Sequence, residues 1–369
     1  LRIAMIGQRG LPATYGGIER HVQELSVRLA ERGHQVVVFC RRNYGDPGIP
    51  SYRGVSLLYP PTHHSKHLEA ALHSGLAAAL TLGRGFDIVH FHAVGPGLWS
   101  PIPRWLGGVK VVQTIHGLDQ YRGKWGRFAR MVLRAGDLLS KHVPHAVIVV
   151  GGYLLSHYGD RPGLTVHIPN GVELSLERDD RVLRQLGIEP GGYALFVGRL
   201  IPEKGVDQLI RAFARVETAQ RLVLVGGSSY TDEYEFVLKS LAHEDSRVVL
   251  PGYRYGAELN SLYAHAALYV QPSLLEGLPL TVLEALAHGL PVLLSDIPPH
   301  LEVLPADRPG GRLFPAGQVD ALATALAVSL AAAEEERSAA REAGRQVIER
   351  YRWDAVVDQT EDLYTSLVK

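Results

Sequence analysis

Apolar residues along this chain fall into short β-branched runs that alternate with longer stretches of helical period. Arg2–Ile6 reads as a buried strand, and Ile18–Arg32 repeats its apolar residues at helical spacing, with Val22, Leu25 and Leu29 on one face. Gly33 supplies the stop. The same pattern predicts strands over Val36–Cys40, Val55–Tyr59, Ile88–Phe91, Val109–Ile115 and Ala146–Val150, and helices over Leu68–Leu82 and Arg127–Ser140. A second series begins near residue 190. It predicts strands over Tyr193–Val197, Arg221–Val225, Val248–Leu250, Leu268–Gln271 and Pro291–Leu294, and helices over Val206–Arg215 and Leu280–His288. The alanine-rich stretch Val319–Arg350 is helical by propensity. Strand and helix alternating at this spacing predict an α/β fold with parallel sheets covered on both faces. Between the two series lie the turn residues Pro169 and Asn170-Gly171. A length of 369 residues suits two cores better than one.

Composition narrows the class. Hydrophobic residues make up 46% and charged residues 21%, which excludes a disordered or fibrous chain. Cys40 is the sole cysteine, so no intrachain disulfide forms and a reducing, cytoplasmic setting is expected. No apolar run reaches the length of about 18 residues that spans a bilayer, and Ala70–Leu82 is broken by His73 and Gly75. Leu1–Gly7 reads as a strand entering a loop rather than as a signal peptide. The net charge of zero hides a division. Residues 1–150 hold 18 Lys and Arg against 8 Asp and Glu, and the remainder holds 20 against 30. A basic half suits anionic substrates or a membrane surface, or the halves attract each other.

Candidate chemistry sits where predicted strands end. The first strand runs into Gly7-Gln8-Arg9-Gly10-Leu11-Pro12, and Gly16-Gly17 precede the first long helix. The glycine fingerprint of dinucleotide binding is missing, which disfavours a nicotinamide-dependent dehydrogenase. Bare backbone at a helix N-terminus can approach a phosphate, though an ordinary turn has the same composition. Thr114-Ile115-His116-Gly117 follows another strand, so His116 is placed to bond a substrate hydroxyl or to move a proton, or it is a structural histidine. Val197-Gly198-Arg199 and Glu203-Lys204-Gly205 put two cations on the loop after a strand, suited to a diphosphate if they are not merely solvated. In Ser273 to Ala285, Glu276 lies in a Gly/Pro loop and Glu284 just over one turn into the helix that follows. The backbone amides of Gly277 to Thr281 would face phosphate, and carboxylates beside them suit hydroxyl groups.

These motifs resemble those of the family 4 glycosyltransferases of the GT-B fold. Glu276 and Glu284 match its pair of glutamates with seven residues between them. Gly198-Arg199 with Glu203-Lys204-Gly205 match its diphosphate segment, Gly16-Gly17 its N-terminal glycine pair, and Thr114-Ile115-His116 its histidine segment. The likeness extends over almost the whole chain, to Trp353-Asp354 before a last helix. Gln8 to Gly17, and His116-Gly117-Leu118-Asp119 through Lys124-Trp125-Gly126, further resemble a bacterial rhamnosyltransferase-like subgroup of cell-surface polysaccharide assembly.

The resemblance implies two Rossmann-like domains facing each other across a cleft. Residues 1–165 would bind the acceptor and 166–350 the nucleotide-sugar donor, with the helix of 351–369 returning to the first domain. Arg199 and Lys204 would neutralise the diphosphate. Glu276 would bind sugar hydroxyls and Glu284 the ribose. Leu280 and Thr281 would offer amides, Gly16 and Gly17 would approach the distal phosphate, and His116 would contact the donor sugar. Tyr253-Arg254 stand where relatives hold the base. A retaining, metal-independent hexosyl transfer without a cofactor is implied, from a nucleotide-diphosphate sugar to a glycan or lipid-linked acceptor. An epimerase of the same architecture and a non-catalytic nucleotide-sugar-binding subunit are the alternatives. No nucleic-acid partner is expected, and the oligomeric state is left open. A peripheral position on the inner face of a membrane is also expected. Residues 104–141 contain Arg104, Lys110, Arg122, Lys124, Arg127, Arg130, Arg134 and Lys141 against Asp119 and Asp137. Arg127, Arg130 and Arg134 share one helix face, with Phe128, Val132 and Leu133 turned to the core.

Overall fold

A computed structural model of the chain describes residues 1–14, 16–61, 69–118, 126–161, 163–227, 232–304 and 310–369, with the backbone alone at residues 128 and 232. The expectations for Asp119 through Trp125, for Leu68 and for the Phe128 side chain lie outside the described residues. The chain divides into two compact units, Leu1–Gly171 with Trp353–Lys369, and Val172–Arg352.

The first unit holds strands β1 (Arg2–Ile6), β2 (Gln35–Phe39), β3 (Ser51–Tyr52), β4 (Val55–Leu58), β5 (Ile88–His92), β6 (Lys110–Ile115), β7 (Ala146–Val149) and β8 (Leu164–His167). They form one sheet in the order β3-β4-β2-β1-β5-β6-β7-β8, parallel except for the β3–β4 pair. Its helices are α1 (Gly17–Glu31), α2 (Glu69–Leu80), α3 (Val94–Gly97), α4 (Arg127–His142) and α5 (Leu155–Tyr158). Alternate residues of the same strands serve opposite faces. Ile3, Met5, Val36, Val38 and Ile88 pack with Val22, Leu25 and Leu29 of α1, while Ala4, Ile6, Val37, Phe39 and Val89 pack with Ala77 and Ala78 of α2. Burial on both faces is why these strands read as unbroken apolar runs.

The second unit has strands β9 (Tyr193–Val197), β10 (Arg221–Val225), β11 (Val248–Gly252), β12 (Leu268–Gln271), β13 (Val292–Ser295) and β14 (Gly311–Phe314). All pairings are parallel, in the order β11-β10-β9-β12-β13-β14. Helices α6 (Arg181–Leu186), α7 (Val206–Phe213), α8 (Asp232–Glu244), α9 (Gly256–His265), α10 (Leu280–Ala287), α11 (Pro298–Val303) and α12 (Val319–Arg350) accompany them. Phe196, Leu222, Leu224 and Val270 of the sheet meet Leu209, Ile210 and Phe213 of α7 and Leu322, Leu326 and Leu330 of α12. Among the parallel strands of each unit the order reverses once, beside β1 and β5 in the first and beside β9 and β12 in the second. Loops leaving adjacent strands at such a point diverge and leave a crevice for ligand.

The elements with strong periodicity lie within a few residues of their predicted spans, and α12 coincides with its own. The sequence pattern passes over β8 and β14, which lie at sheet edges with half-exposed residues and so lack the continuous apolar run of a central strand. It also passes over α8, whose apolar Phe236 is exposed and blurs the stripe. No described helix is long and apolar enough to cross a membrane.

After the second unit the chain re-enters the first as α13 (Trp353–Val368). Trp353, Val356, Val357, Leu363 and Tyr364 join the core that Val22, Leu25 and Leu29 of α1 line. Gly171 lies flat on the indole of Trp353, where a Cβ would collide with the ring. The Arg28 guanidinium covers that ring at 5.4 Å. At the rim Arg32 pairs with Asp358 at 2.6 Å and Glu361 at 2.8 Å, and His34 Nε2 lies 2.9 Å from Glu361. Exposed pairs of this kind contribute at most about 1 kcal/mol each, so the buried indole is the main anchor. Trp353→Ala is expected to destabilise the first unit by about 3–5 kcal/mol in urea denaturation. A loss below about 1 kcal/mol would show that the helix is held by something else.

Candidate active site

Two loops of the second unit leave neighbouring strands at its order reversal. After β9, Gly198-Arg199 lead to a 3₁₀ turn over Pro202–Lys204. Gly205 then opens α7 with φ 65°, a left-handed conformation that glycine adopts without strain. A Cβ at Gly205 would also come within 2.5 Å of the Pro272 carbonyl in the loop after β12. The two loops are joined by the Leu274 N–H, which donates to the Glu203 carbonyl at 2.9 Å.

This junction presents Lys204 to Glu276, and the Lys204 ammonium pairs with Glu276 Oε1. The same oxygen accepts from Gln271 Nε2 at 2.8 Å and Ser273 Oγ at 2.7 Å. Tyr269 OH donates to Gln271 Oε1 at 2.6 Å and so fixes which end of the amide faces the carboxylate. Behind them Ser295 Oγ donates to the Ser273 carbonyl at 2.5 Å, and His300 Nδ1 donates to the Ser295 carbonyl at 2.8 Å. Burial works to raise the pKa of Glu276. The charges of Lys204 and His300 and the hydrogen bonds from Lys204 and Ser273 outweigh it and bring it to about 2. Burial takes His300 itself down to about 4, so near neutral pH Lys204 supplies the compensating charge.

Glu284, buried on α10, has a different environment. Its Oε2 accepts from Tyr263 OH at 3.0 Å, and the Tyr263 ring stacks on His288 at 5.3 Å. The first amides of α10, from Leu280 and Thr281, have no partner within the helix and follow Gly277 and the Pro279 cap. Tyr253 OH donates to the Gly227 carbonyl at 3.0 Å, and the ring stacks on Tyr255 at 5.9 Å. Arg254 Nη1 donates to the Tyr253 carbonyl at 3.0 Å, and Arg254 Nε lies 3.4 Å from Glu258. Arg199 is half-buried at the end of β9. The second unit thus brings Lys204 and Glu276 into direct contact and holds Glu284 and Tyr253 on separate supports.

The remaining expected residues lie in the first unit. Gly16 caps α1 with φ 105°, and the Glu19 carboxylate fills the space a Cβ would need. Glu19 Oε1 accepts the Arg9 N–H at 3.2 Å, so the first turn of α1 carries a carboxylate that ties down the preceding loop. His116 follows β6. The register pairs His92, the last residue of β5, with Thr114, so the two histidines end neighbouring strands. His92 Nδ1 and His116 Nε2 are 3.2 Å apart. His21 of α1 lies with its ring centre 4.9 Å from that of His116. His90 is 4.2 Å from His92, between Tyr364 OH at 2.5 Å and Thr114 Oγ1 at 2.7 Å. Burial lowers the pKa of His21 to about 4 and of His90 to about 3, and holds His92 and His116 well below the usual imidazole value. All four are therefore neutral near pH 7. The sequence singled out His116 alone. His90 and His92 had one signal, a His-x-His at the end of an apolar strand, and His21 had none beyond its place on α1.

On α4 the arginines are exposed as expected and Leu133 is buried, but Val132 is half-buried rather than core-facing. Its neighbour Met131 is exposed and joins Arg127, Arg130 and Arg134 around a depression of about 330 Å³. Leu138, two turns on, is also exposed.

Residues 15–176 match the family described as Glycosyltransferase Family 4, and residues 180–347 match Glycosyl transferases group 1. The chain is 28% identical to an alpha-maltose-1-phosphate synthase of Mycobacterium tuberculosis, over 99% of each chain. An uncharacterized glycosyltransferase of Methanocaldococcus jannaschii is 26% identical, over 99% of this chain and 98% of its own. Among solved structures, sucrose-phosphate synthase from Thermosynechococcus elongatus superposes with a TM-score of 0.87 at 25% identity, covering 99% of this chain and 98% of its own. HepE of Anabaena, solved with UDP and glucose, gives 0.82 at 18% identity over 99% of each chain and shares the fold. With the two family matches covering successive halves and two parallel α/β sheets on which the glycine, cation and glutamate motifs stand at strand ends, the chain belongs to the GT-B glycosyltransferases.

Proposed function

We propose that this glycosyltransferase moves a hexosyl group from a nucleotide-diphosphate sugar to a glycan or lipid-linked acceptor, with retention at the anomeric carbon, in the assembly of bacterial surface polysaccharide. The observation that carries the reading is the Lys204–Glu276 pair, held by Gln271 and Ser273 beside the first turn of α10. In the reaction, the bond from anomeric carbon to diphosphate oxygen breaks and its electron pair leaves with the diphosphate. The acceptor oxygen bonds to the same face of that carbon, and its proton passes to a donor phosphate oxygen. The enzyme's main task is to stabilise the charge that develops on the diphosphate. Arg199, Lys204 and the amides of Leu280 and Thr281 are assigned to it, and they do so without a metal or cofactor. Glu276, ionised and anchored, accepts hydrogen bonds from donor-sugar hydroxyls. Glu284 takes the ribose, Gly277 lets backbone approach, and Tyr253 with Arg254 holds the base. Gly16, Gly17 and His116 keep the roles given by the family likeness. HepE of Anabaena has also been solved in complex with UDP-glucose, which supports a nucleoside-diphosphate donor.

The residues 1–165 are assigned to the acceptor and 166–350 to the donor, and a membrane surface is proposed as a further partner. Arg127, Arg130 and Arg134, interspersed with exposed Met131 and Leu138, suit a bilayer with anionic headgroups.

Arg199→Ala is expected to lower turnover about 10²–10³-fold with little change in thermal stability. Lys204→Ala should lower it as far, but it also leaves Glu276 buried without its cation, at a stability cost of about 3–5 kcal/mol. Turnover within about threefold of wild type for Arg199→Ala would remove the electrostatic assignment. In calorimetry with free nucleoside diphosphates, Glu284→Ala is expected to weaken binding, whereas Glu276→Ala retains it and loses sugar transfer. The opposite pattern would exchange the two roles. Co-sedimentation should show binding to anionic vesicles but not to neutral ones, at low salt only, because each basic residue near the surface contributes about 1 kcal/mol that salt screens. Equal binding to both kinds of vesicle, or to neither, would dismiss the membrane partner.

A further inference from the structure

We propose that His21, His92 and His116 form a binding site for a divalent zinc-like ion, and that occupation of this site switches the transferase off. One ring nitrogen from each of the three lies within 4.8 Å of one from each of the others, and they are the group of this kind among the described residues. In a tetrahedral zinc site with Zn–N distances near 2.0–2.1 Å, ligand nitrogens stand about 3.3 Å apart. His92 Nδ1 and His116 Nε2 already stand at 3.2 Å. The ring centres are 4.9, 5.5 and 5.8 Å apart, close to the spacing of about 5 Å for three imidazoles sharing one zinc ion.

Two further observations point to a ligand. His21 Nδ1 is buried with no hydrogen-bond partner, and such an orphan is a destabilising feature unless something meets it. The rings are also held in advance by their surroundings. His90 stacks on His92 and is itself fixed between Tyr364 and Thr114, while His21 is edged by the Trp353 indole at 5.6 Å. Packing of that kind restricts the rotation of the rings before any ion arrives. The donor set is all imidazole nitrogen from α1 and the ends of β5 and β6, which favours zinc, copper or nickel over magnesium or calcium. His21 and His92 are buried and His116 is half-exposed, so the ion enters on the His116 side and keeps its remaining position for water.

The inhibitory part of the inference rests on the proposed function, in which His116 contacts the donor sugar. A metal-ligated imidazole cannot offer that nitrogen to a hydroxyl. Activity would then need no metal and would be lost when the ion binds.

The test has two independent arms. In the first, zinc chloride alone is titrated into the full-length, chelator-washed chain by calorimetry, with cobalt(II) in parallel as a spectroscopic probe. One ion per chain is expected, with the strong visible absorption of tetrahedral cobalt. His21→Gln and His116→Asn, each checked for a native circular dichroism spectrum, should weaken binding by more than about 100-fold, the upper end of what losing a mere supporting residue costs. Absence of a stoichiometric site, octahedral cobalt, or unchanged affinity in both variants would overturn the site. In the second arm, sugar transfer is measured with chelator and then with added zinc. Wild type should be active in chelator and silenced by one equivalent of zinc, and His21→Gln should be active in both. Zinc that binds at the cluster yet leaves transfer intact would overturn the switch. A chain that binds zinc but transfers no sugar from any donor would instead refute the proposed function and leave the site standing.

Discussion

A carboxylate removed from water costs several kcal/mol unless a cation and hydrogen-bond donors meet it, and that constraint organises the second unit around Glu276. Lys204 reaches it only because Gly205 turns left-handed immediately afterwards and lets α7 start there. Gln271 and Ser273 reach it because β12 ends beside β9, where the order of the strands reverses. Tyr269, Ser295 and His300 then hold those donors from behind. Each support is ordinary, and together they fix one charged oxygen at a strand end. A group held this firmly undergoes little reorganisation when a ligand arrives, which is what electrostatic catalysis needs.

What the sequence made legible follows from physics that acts locally. The central strands show as β-branched runs because both their faces are buried, and the glycine and glutamate motifs show because loop chemistry is concentrated in a few neighbouring residues. Glu276 could be placed in a loop and Glu284 on a helix from spacing alone. Their partners could not. Lys204 lies 72 positions from Glu276, and Tyr263 lies 21 from Glu284 across a turn of chain that periodicity does not relate. His92 and His116 are 24 residues apart and meet only because β5 and β6 pair in one register. Edge strands such as β8 and β14 escaped for the opposite reason, being half-exposed and so lacking the pattern that burial imposes.

The first unit follows a different rule. Its strand ends gather neutral imidazoles where the second unit gathers a charge pair. Desolvation keeps the four histidines uncharged, and for His90, His92 and His116 the potential charges of neighbouring histidines act in the same direction, so protonating one of these becomes harder once a neighbour is charged. The two sheets share an architecture and differ in the electrostatics of the same topological position, which is how one fold hosts unlike sites.

The return of α13 has a consequence for how the protein is made. Translation delivers β1 to β8 first, but the core that Val22, Leu25 and Leu29 of α1 share with β1, β2 and β5 is completed by Trp353, Val357 and Tyr364, which emerge only after the whole of the second unit. At about 5–20 residues per second, the interval between Gly171 and Trp353 is on the order of ten to forty seconds. The second unit is therefore an insertion in the sequence of the first, made before the first has its last helix. For that interval the first unit lacks the part of its core that α13 brings, and a ribosome that stalls before residue 353 leaves that core incomplete.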